Sequence, residues 1–172
     1  VTVTDANAAA ASSSLTITEP TVLAASLVVN TNVSCNGLSD GGATASATGG
    51  TSPYTYTWSN SATTASITGV SAGTYTVTAT DGNGCTDSET ITITERAALS
   101  VSISSTNVSC NGGSDGTATA AGTGGTGTIT YAWSNSATGS SITGLAAGTY
   151  TVTATDGSGC TDTETVTITE PA

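Results

Sequence analysis

Apolar and polar residues alternate with a period of two along most of the chain, which is the pattern of strands with one buried face. In the segment 54–58 the aromatic residues fall on one face and the threonines on the other. The same alternation recurs at 74–80 and 90–94. Turn pairs such as Asp81-Gly82 separate these runs. The pattern predicts no helix and about six or seven short strands in each unit of roughly 75 residues.

The chain repeats itself with an offset of 75 residues. The segments 59–95 and 134–170 are identical at 30 of 37 positions, which is too regular for chance. The offset predicts an Ig-like repeat 1 at 21–96 and an Ig-like repeat 2 at 97–172. Residues 1–20 are predicted to be the C-terminal hairpin of a preceding partial repeat. Almost no linker separates repeat 1 from repeat 2.

The spacing of the strands predicts an all-β fold, built from tandem Ig-like β-sandwich repeats of about 75 residues. Trp58 and Trp133 are expected in the two cores. Tyr75 and Tyr150 resemble tyrosine corners, in which the phenol bonds back to the chain just before an inner strand.

The first twenty residues align with the end of repeat 1, with Ala9 where repeat 1 has Cys85. We expect a strand over Leu15–Thr18, and an uncovered apolar face that includes Val1 and Val3. A lone two-stranded hairpin is marginal in water. The segment is therefore expected to be completed by a preceding unit or by another chain.

Composition excludes several classes of function. The 172 residues contain 12 Asp and Glu, a single Lys or Arg and no His, for a net charge of -11. Such a surface cannot bind nucleic acid by charge, and a Ser-His-Asp or Cys-His site cannot be built. No apolar run is long enough to insert into a membrane, and no signal peptide opens the sequence. The chain is predicted not to be an enzyme; a glycosidase pair such as Asp87 and Glu89 is better interpreted as solvated carboxylates.

Each predicted repeat contains two cysteines, and four cysteines allow three pairings. The repeat favours the pairing in which each unit is self-contained, Cys35 with Cys85 and Cys110 with Cys160. A disulfide of that size contributes roughly 4 kcal/mol in the chain-entropy model, and it indicates an oxidising compartment. Metal ligation is the alternative, but the histidines and the short Cys spacing of zinc sites are absent.

Calcium is the one cofactor that the sequence raises. Asp81 and Asp87 lie close together around a glycine-rich turn, as do Asp156 and Asp162 in the second copy. Calcium takes several oxygen ligands and tolerates irregular geometry. The spacing does not fit an EF-hand loop, and a tight turn with solvated carboxylates is the favoured interpretation.

The motifs of both units, taken in order, resemble the SprB-type repeat. They are Thr-Asn-Val-Ser-Cys-Asn-Gly, Ser-Asp-Gly, Trp-Ser-Asn, Ala-Gly-Thr-Tyr-Thr-Val-Thr-Ala-Thr-Asp-Gly-x-Gly-Cys and Thr-Ile-Thr-Glu-Pro, with Arg96 in place of the last proline in repeat 1. The resemblance implies many copies in the gliding adhesins and other surface proteins of gliding Bacteroidota. It also implies export by the type 9 secretion route and an extracellular, cell-surface location. It carries no catalytic residues.

The function predicted from these features is a structural stalk or adhesin repeat, which spaces an adhesive tip or forms a fibre for adhesion or gliding. Its expected partners are adjacent repeats of the same chain, surface polysaccharide, or other copies in a filament. Two alternatives stay open: a self-assembling extracellular filament subunit, and a carbohydrate- or calcium-binding module. Exposed aromatic side chains would favour the binding module.

Overall fold

The computed structural model describes residues 1–172, and its regular structure consists of fourteen β-strands without a helix. The N-terminal segment forms β1 (Thr2–Thr4) and β2 (Ala10–Ser12). Repeat 1 forms β3 (Ala24–Thr31), β4 (Gly41–Thr48), β5 (Thr55–Trp58), β6 (Ser66–Val70), β7 (Gly73–Thr80) and β8 (Thr86–Ile93). Repeat 2 forms β9 (Ser100–Thr106), β10 (Gly116–Thr123), β11 (Thr130–Trp133), β12 (Ser141–Leu145), β13 (Gly148–Thr155) and β14 (Thr161–Ile168).

Each repeat has two three-stranded antiparallel sheets. In repeat 1 the strand orders are β3-β4-β6 and β5-β7-β8, and in repeat 2 they are β9-β10-β12 and β11-β13-β14. These orders correspond to the A-B-E and C-F-G sheets of immunoglobulin domains, with strand D absent. The predicted tandem Ig-like β-sandwich fold is confirmed.

The sheets of each repeat pack face to face around one apolar core. In repeat 1 the buried cluster draws Ala43 from one sheet and Val77 from the other. Trp58 and Trp133 lie in the two cores with only 2% and 4% of their surface exposed. Their indole N–H groups donate to the backbone carbonyls of Thr64 and Gly139, both at 2.9 Å. The indoles thus fill the cores without an unsatisfied polar atom.

The two tyrosines at the start of β7 and β13 form tyrosine corners. The hydroxyl of Tyr75 donates to the carbonyl oxygen of Ser71 at 2.9 Å, and that of Tyr150 donates to the carbonyl oxygen of Ala146 at 3.1 Å. Both acceptors lie four residues upstream of the tyrosine, so each ring fixes the chain as it turns into an inner strand.

The first and last strands of repeat 1 run side by side in the same direction. Near their beginnings the Ala25 N–H donates to the Asp87 carboxylate at 2.8 Å. Beyond their ends the Val33 N–H donates to the Thr94 carbonyl at 2.9 Å. The chain therefore enters each sandwich at one end, called here the entry end, and leaves at the opposite one, the exit end. Repeat 2 has the matching bonds from Val101 to Asp162 and from Val108 to Thr169.

The N-terminal hairpin pairs β1 with β2, with Val3 opposite Ala11. The predicted strand over Leu15–Thr18 is wrong, because the ladder of the hairpin reaches its last bonds between Val1 and Ser13. Side chains of this segment are exposed, including Val3 at 66% and Leu15 at 88%.

Candidate functional site at the joint between the repeats

The four cysteines lie at the ends of the sandwiches. Cys85 and Cys160 close the turns that connect β7 to β8 and β13 to β14, at the two entry ends. Cys35 and Cys110 lie in the loops that follow β3 and β9, at the two exit ends. Each repeat thus has one cysteine at either end.

The disulfide in the structure joins Cys35 to Cys160, with 5.6 Å between the Cα atoms, and leaves Cys85 and Cys110 free. This arrangement corrects the predicted pairings Cys35–Cys85 and Cys110–Cys160. The two cysteines of one repeat are separated by the length of an eight-residue strand, about 27 Å. A disulfide needs Cα atoms about 4.4–6.8 Å apart. The two cysteines of one repeat are therefore too far apart in this fold to form a disulfide, and the bond joins cysteines of different repeats instead.

The loop that carries Cys35 is held by carboxylates. The backbone N–H and the hydroxyl of Ser34 both donate to Asp40, and these bonds hold the pKa of the Asp40 carboxyl below its ordinary value of 3.8. The Gly37 N–H donates to the Glu95 carboxylate at 2.8 Å, which ties the loop to the end of β8. Asn36 donates to the carbonyl of Arg96 at 3.5 Å. The loop is therefore fixed beside the point where the chain leaves repeat 1.

The turn that carries Cys160 is built around the buried carboxylate of Asp156. Its Oδ1 accepts the N–H groups of Ser158 and Cys160 at 2.8 and 2.9 Å, and its Oδ2 accepts the N–H of Thr126 at 2.7 Å. Burial raises the pKa of this carboxyl, but the hydrogen bonds and the nearby charge of Arg96 outweigh it and lower the pKa below 3.8. The charge of Arg96, at the end of repeat 1, thus favours the ionised form of Asp156 in repeat 2.

An open cleft at the joint contains residues of both repeats. The exit-end loop contributes Cys35, Asn36 and Leu38, and the chain and turn of repeat 2 contribute Ala98, Leu99 and Cys160. The Cys160 sulfur also lies 3.5 Å from the carbonyl oxygen of Ser34. The exit end of repeat 1 therefore contacts the entry end of repeat 2, and the two repeats follow one another in the same sense.

The four candidate calcium ligands are occupied by backbone donors. Asp81 accepts N–H groups from Thr51 and from its own turn, and these bonds lower the pKa of its carboxyl. Asp156 accepts the equivalent N–H groups in the corresponding turn of repeat 2. Asp87 and Asp162 accept the N–H groups of Ala25 and Val101. No cluster of three or more carboxylate, thiol or imidazole side chains is positioned to hold a metal ion. These carboxylates act as hydrogen-bond acceptors, Asp81 and Asp156 in the turns and Asp87 and Asp162 at the start of the last strands.

The aromatic side chains, which would favour a carbohydrate-binding module if exposed, are buried or half-buried in both repeats. The Tyr131 hydroxyl accepts the N–H of Gly122 at 2.8 Å, and the Tyr54 hydroxyl donates to the carbonyl of Gly49. No helix with the length and apolarity needed to cross a membrane occurs in the structure.

Comparison with solved structures finds similar chains at low identity. The amphioxus IgVJ-C2 molecule is 16% identical with a TM-score of 0.35, over 84% of this chain and 96% of that one. The C-terminal 282-residue intimin fragment, solved in complex with the intimin-binding domain of the translocated intimin receptor, is 15% identical with a TM-score of 0.41, over 89% and 64%. Domains 4-9 of the surface layer protein SbsC are 20% identical with a TM-score of 0.34, over 90% and 31%. No curated protein sequence matches the chain.

The family comparison matches the SprB repeat at two places, residues 27–63 and 102–138. The first match runs from β3 past β5 and the second from β9 past β11, so each contains the exit-end cysteine and the core tryptophan of its repeat. Repeats 1 and 2 each carry a match to the SprB repeat, and the resemblance indicated by their motifs is confirmed.

Proposed function

We propose that the chain is a structural segment of an extracellular surface protein, in which Ig-like repeats stack end to end as a stalk. The observation that supports this proposal most is the Cys35–Cys160 disulfide, which joins the exit end of one repeat to the entry end of the next. Such a bond restrains the angle between neighbouring repeats, so that the array stays extended instead of bending freely at each joint. The disulfide also fits an oxidising, extracellular compartment.

The finer assignment is to the surface of a gliding bacterium, with a role in adhesion or gliding and export by the type 9 route. It is supported by the SprB repeat matches. Surface polysaccharide is the adhesive partner proposed for such a protein. The repeats themselves serve as the spacer, since their aromatic side chains fill the cores.

The stalk is tested by small-angle X-ray scattering of the oxidised monomer in the Cys85→Ser/Cys110→Ser background. An end-to-end pair has a maximum dimension of about 70–80 Å, because each eight-residue strand spans about 27 Å and the turns add to both ends. The matched control also carries Cys35→Ser and Cys160→Ser, and its scattering is expected to show a broader distribution of angles at the joint. A compact, side-by-side envelope for the oxidised protein would overturn the proposal.

A further inference from the structure

We infer that the two free cysteines are the unpaired halves of two further joints, so that each repeat is disulfide-bonded to both of its neighbours. Cys85 takes the exit-end cysteine of a repeat before it, and Cys110 takes the entry-end cysteine of a repeat after it. The partner in both cases is another repeat of this kind, which a second copy of the chain can supply. The inference rests on the proposed end-to-end stacking, and it identifies a disulfide at each joint as the covalent link between repeats.

The exit end of repeat 2 reproduces the loop that is bonded in repeat 1. The Ser109 N–H and hydroxyl donate to Asp115 at 2.9 and 2.6 Å. The Gly112 N–H donates to Glu170 at 2.7 Å, as Gly37 does to Glu95. The loop around Cys110 therefore has the geometry of the loop around Cys35 without a neighbouring repeat to hold it there.

The last polar contact of this loop is reproduced as well. Asn111 donates to the carbonyl of Pro171 at 3.1 Å, in the position of the bond from Asn36 to Arg96. The exit end is thus preformed: its thiol is presented by hydrogen bonds internal to the repeat, so docking a neighbour needs little ordering of the loop.

The entry end of repeat 1 reproduces the other half of the joint. The Asp81 carboxylate accepts the Cys85 N–H at 2.8 Å, and the Asp81 N–H donates to the Cys85 carbonyl at 2.9 Å. Asp156 makes the same two bonds with Cys160, both at 2.9 Å. The turn that presents the thiol is therefore the same in both repeats.

The surface around that turn is also shared. A cleft beside Cys85 is lined by Val22, Leu23 and Thr86, at the positions that Ala98, Leu99 and Thr161 occupy in the joint. In the joint this surface faces the exit-end residues Cys35, Asn36 and Leu38 across the cleft. Val22 is 88% exposed, so the matching surface beside Cys85 is accessible to a loop of the same kind.

Exposure of the cysteines agrees with their pairing. Cys35 and Cys160 are half-buried in the joint, whereas Cys85 and Cys110 are exposed at opposite ends of the pair of repeats. The two free thiols of one chain therefore cannot reach each other. Residues 1–20 contain no cysteine that could pair with Cys85. The position of this segment that aligns with Cys85 is Ala9.

The linkage is a thiol–disulfide exchange and needs a disulfide oxidant, for which oxidised glutathione serves in vitro. The Cys85 thiolate attacks glutathione disulfide, forming a mixed disulfide and releasing one glutathione. The Cys110 thiolate of the second copy then attacks the protein sulfur and releases the second glutathione. Two protein thiols and one glutathione disulfide thus become one protein disulfide and two glutathiones.

The test uses two full-length variants that keep the Cys35–Cys160 bond. Cys85→Ser presents only the exit-end thiol, and Cys110→Ser, labelled with nitrogen-15, presents only the entry-end thiol. Equal amounts are mixed in a glutathione redox buffer, and the dimers are counted by intact mass. Random pairing makes about half of all dimers mixed. Specific docking with a tenfold preference raises the mixed fraction to about nine-tenths.

A mixed fraction near one half, or an excess of either symmetric dimer, overturns the inference. A high mixed fraction is checked by scattering: a head-to-tail dimer has about twice the length of the monomer, and a side-by-side dimer would also overturn it. The outcome is independent of the scattering test on the monomer. An extended monomer with random pairing would leave the stalk proposal standing and remove only the linkage.

Discussion

Removing the disulfide at the joint is expected to separate the unfolding of the two repeats. The change is Cys35→Ser with Cys160→Ser, made in the Cys85→Ser/Cys110→Ser background so that no other disulfide forms. The bond closes a loop of 125 residues in the fully unfolded chain. In the chain-entropy model that constraint destabilises the fully unfolded state by about 5 kcal/mol.

Unfolding one repeat alone meets almost the same constraint. While repeat 1 is folded, Cys35 stays beside Arg96, since Asn36 is bonded to the Arg96 carbonyl. The bond to Cys160 then closes a loop over roughly 60 residues of repeat 2, which costs about 4 kcal/mol. Unfolding the second repeat therefore raises the entropic cost of the disulfide by only about 1 kcal/mol. For repeats of equal stability, half-unfolded states lie about 2 kcal/mol above both end states at the midpoint, and they stay populated at a few per cent.

The assay is urea unfolding followed by tryptophan fluorescence, since each repeat contains one tryptophan, Trp58 or Trp133. The slope m scales with the surface exposed in one cooperative step. The oxidised protein is expected to show a single transition with about twice the m value of the variant without the disulfide, and a higher midpoint. Equal m values in the two proteins would show that the disulfide does not couple the unfolding of the repeats, and would refute the reasoning.

Trypsin verifies the bond before the unfolding is measured. The only Lys or Arg in the chain is Arg96, so cleavage gives the fragments 1–96 and 97–172. With Cys35 bonded to Cys160, the cleaved protein is expected to stay one covalent species and to separate only after reduction. Cys35 and Cys160 are the only cysteines left in this background, so fragments that separate without a reductant would show that the disulfide at the joint has not formed.

Three further outcomes are expected. Tyr75→Phe removes the hydroxyl bonded to the Ser71 carbonyl and should lower stability by about 1 kcal/mol. Because the oxidised repeats unfold as one unit of about 150 residues, the drop in Tm should be roughly 2–4 °C; an unchanged Tm would show that the corner is dispensable. Because the folded-state pKa of Asp81 lies below 3.8, its contribution is full above that pH and is lost as the pH falls through the folded value. The gap in Tm between the native protein and Asp81→Asn should therefore narrow on acidification, and a gap that is constant with pH would contradict it. Chelator should leave the Tm unchanged, since the carboxylates of the turn already accept backbone N–H groups; a large shift that Asp81→Asn abolishes would restore the calcium site.

The fold was predictable because its signals are local. Alternation at 73–80 sets Val77 and Ala79 on the inner face, and both are fully buried. The turn chemistry was equally readable: Gly84 and Gly159 adopt φ of 86° and 85°, in the left-handed region that glycine favours. Ala8 occupies the same position of the partial copy at φ 62°, so the turn forms there without glycine.

The pairing of the cysteines could not be read from the repeat alone. Identity between the units says that Cys35 and Cys85 recur together, but contact depends on the direction in which each strand runs. A signal was available. Cys35 follows the A strand and Cys85 the F strand of an Ig-like sandwich, and these two strands run in opposite directions. Strand direction places the two cysteines at opposite ends, which leaves a neighbouring repeat as the partner.

The disulfide at the joint also limits how far the chain can be stretched. Pulled between Thr21 and Glu170, the reduced chain can extend over all 150 or so residues, about 500 Å. In the oxidised chain, tension passes from Thr21 along β3 to Cys35, crosses the sulfur bridge, and continues from Cys160 along β14 to Glu170. That path contains only about 26 residues, or about 90 Å at full extension. The folded pair is nearly that long already, so an oxidised array under tension is almost inextensible. Even when its sandwiches unfold, the residues between Cys35 and Cys160 add no length to the chain.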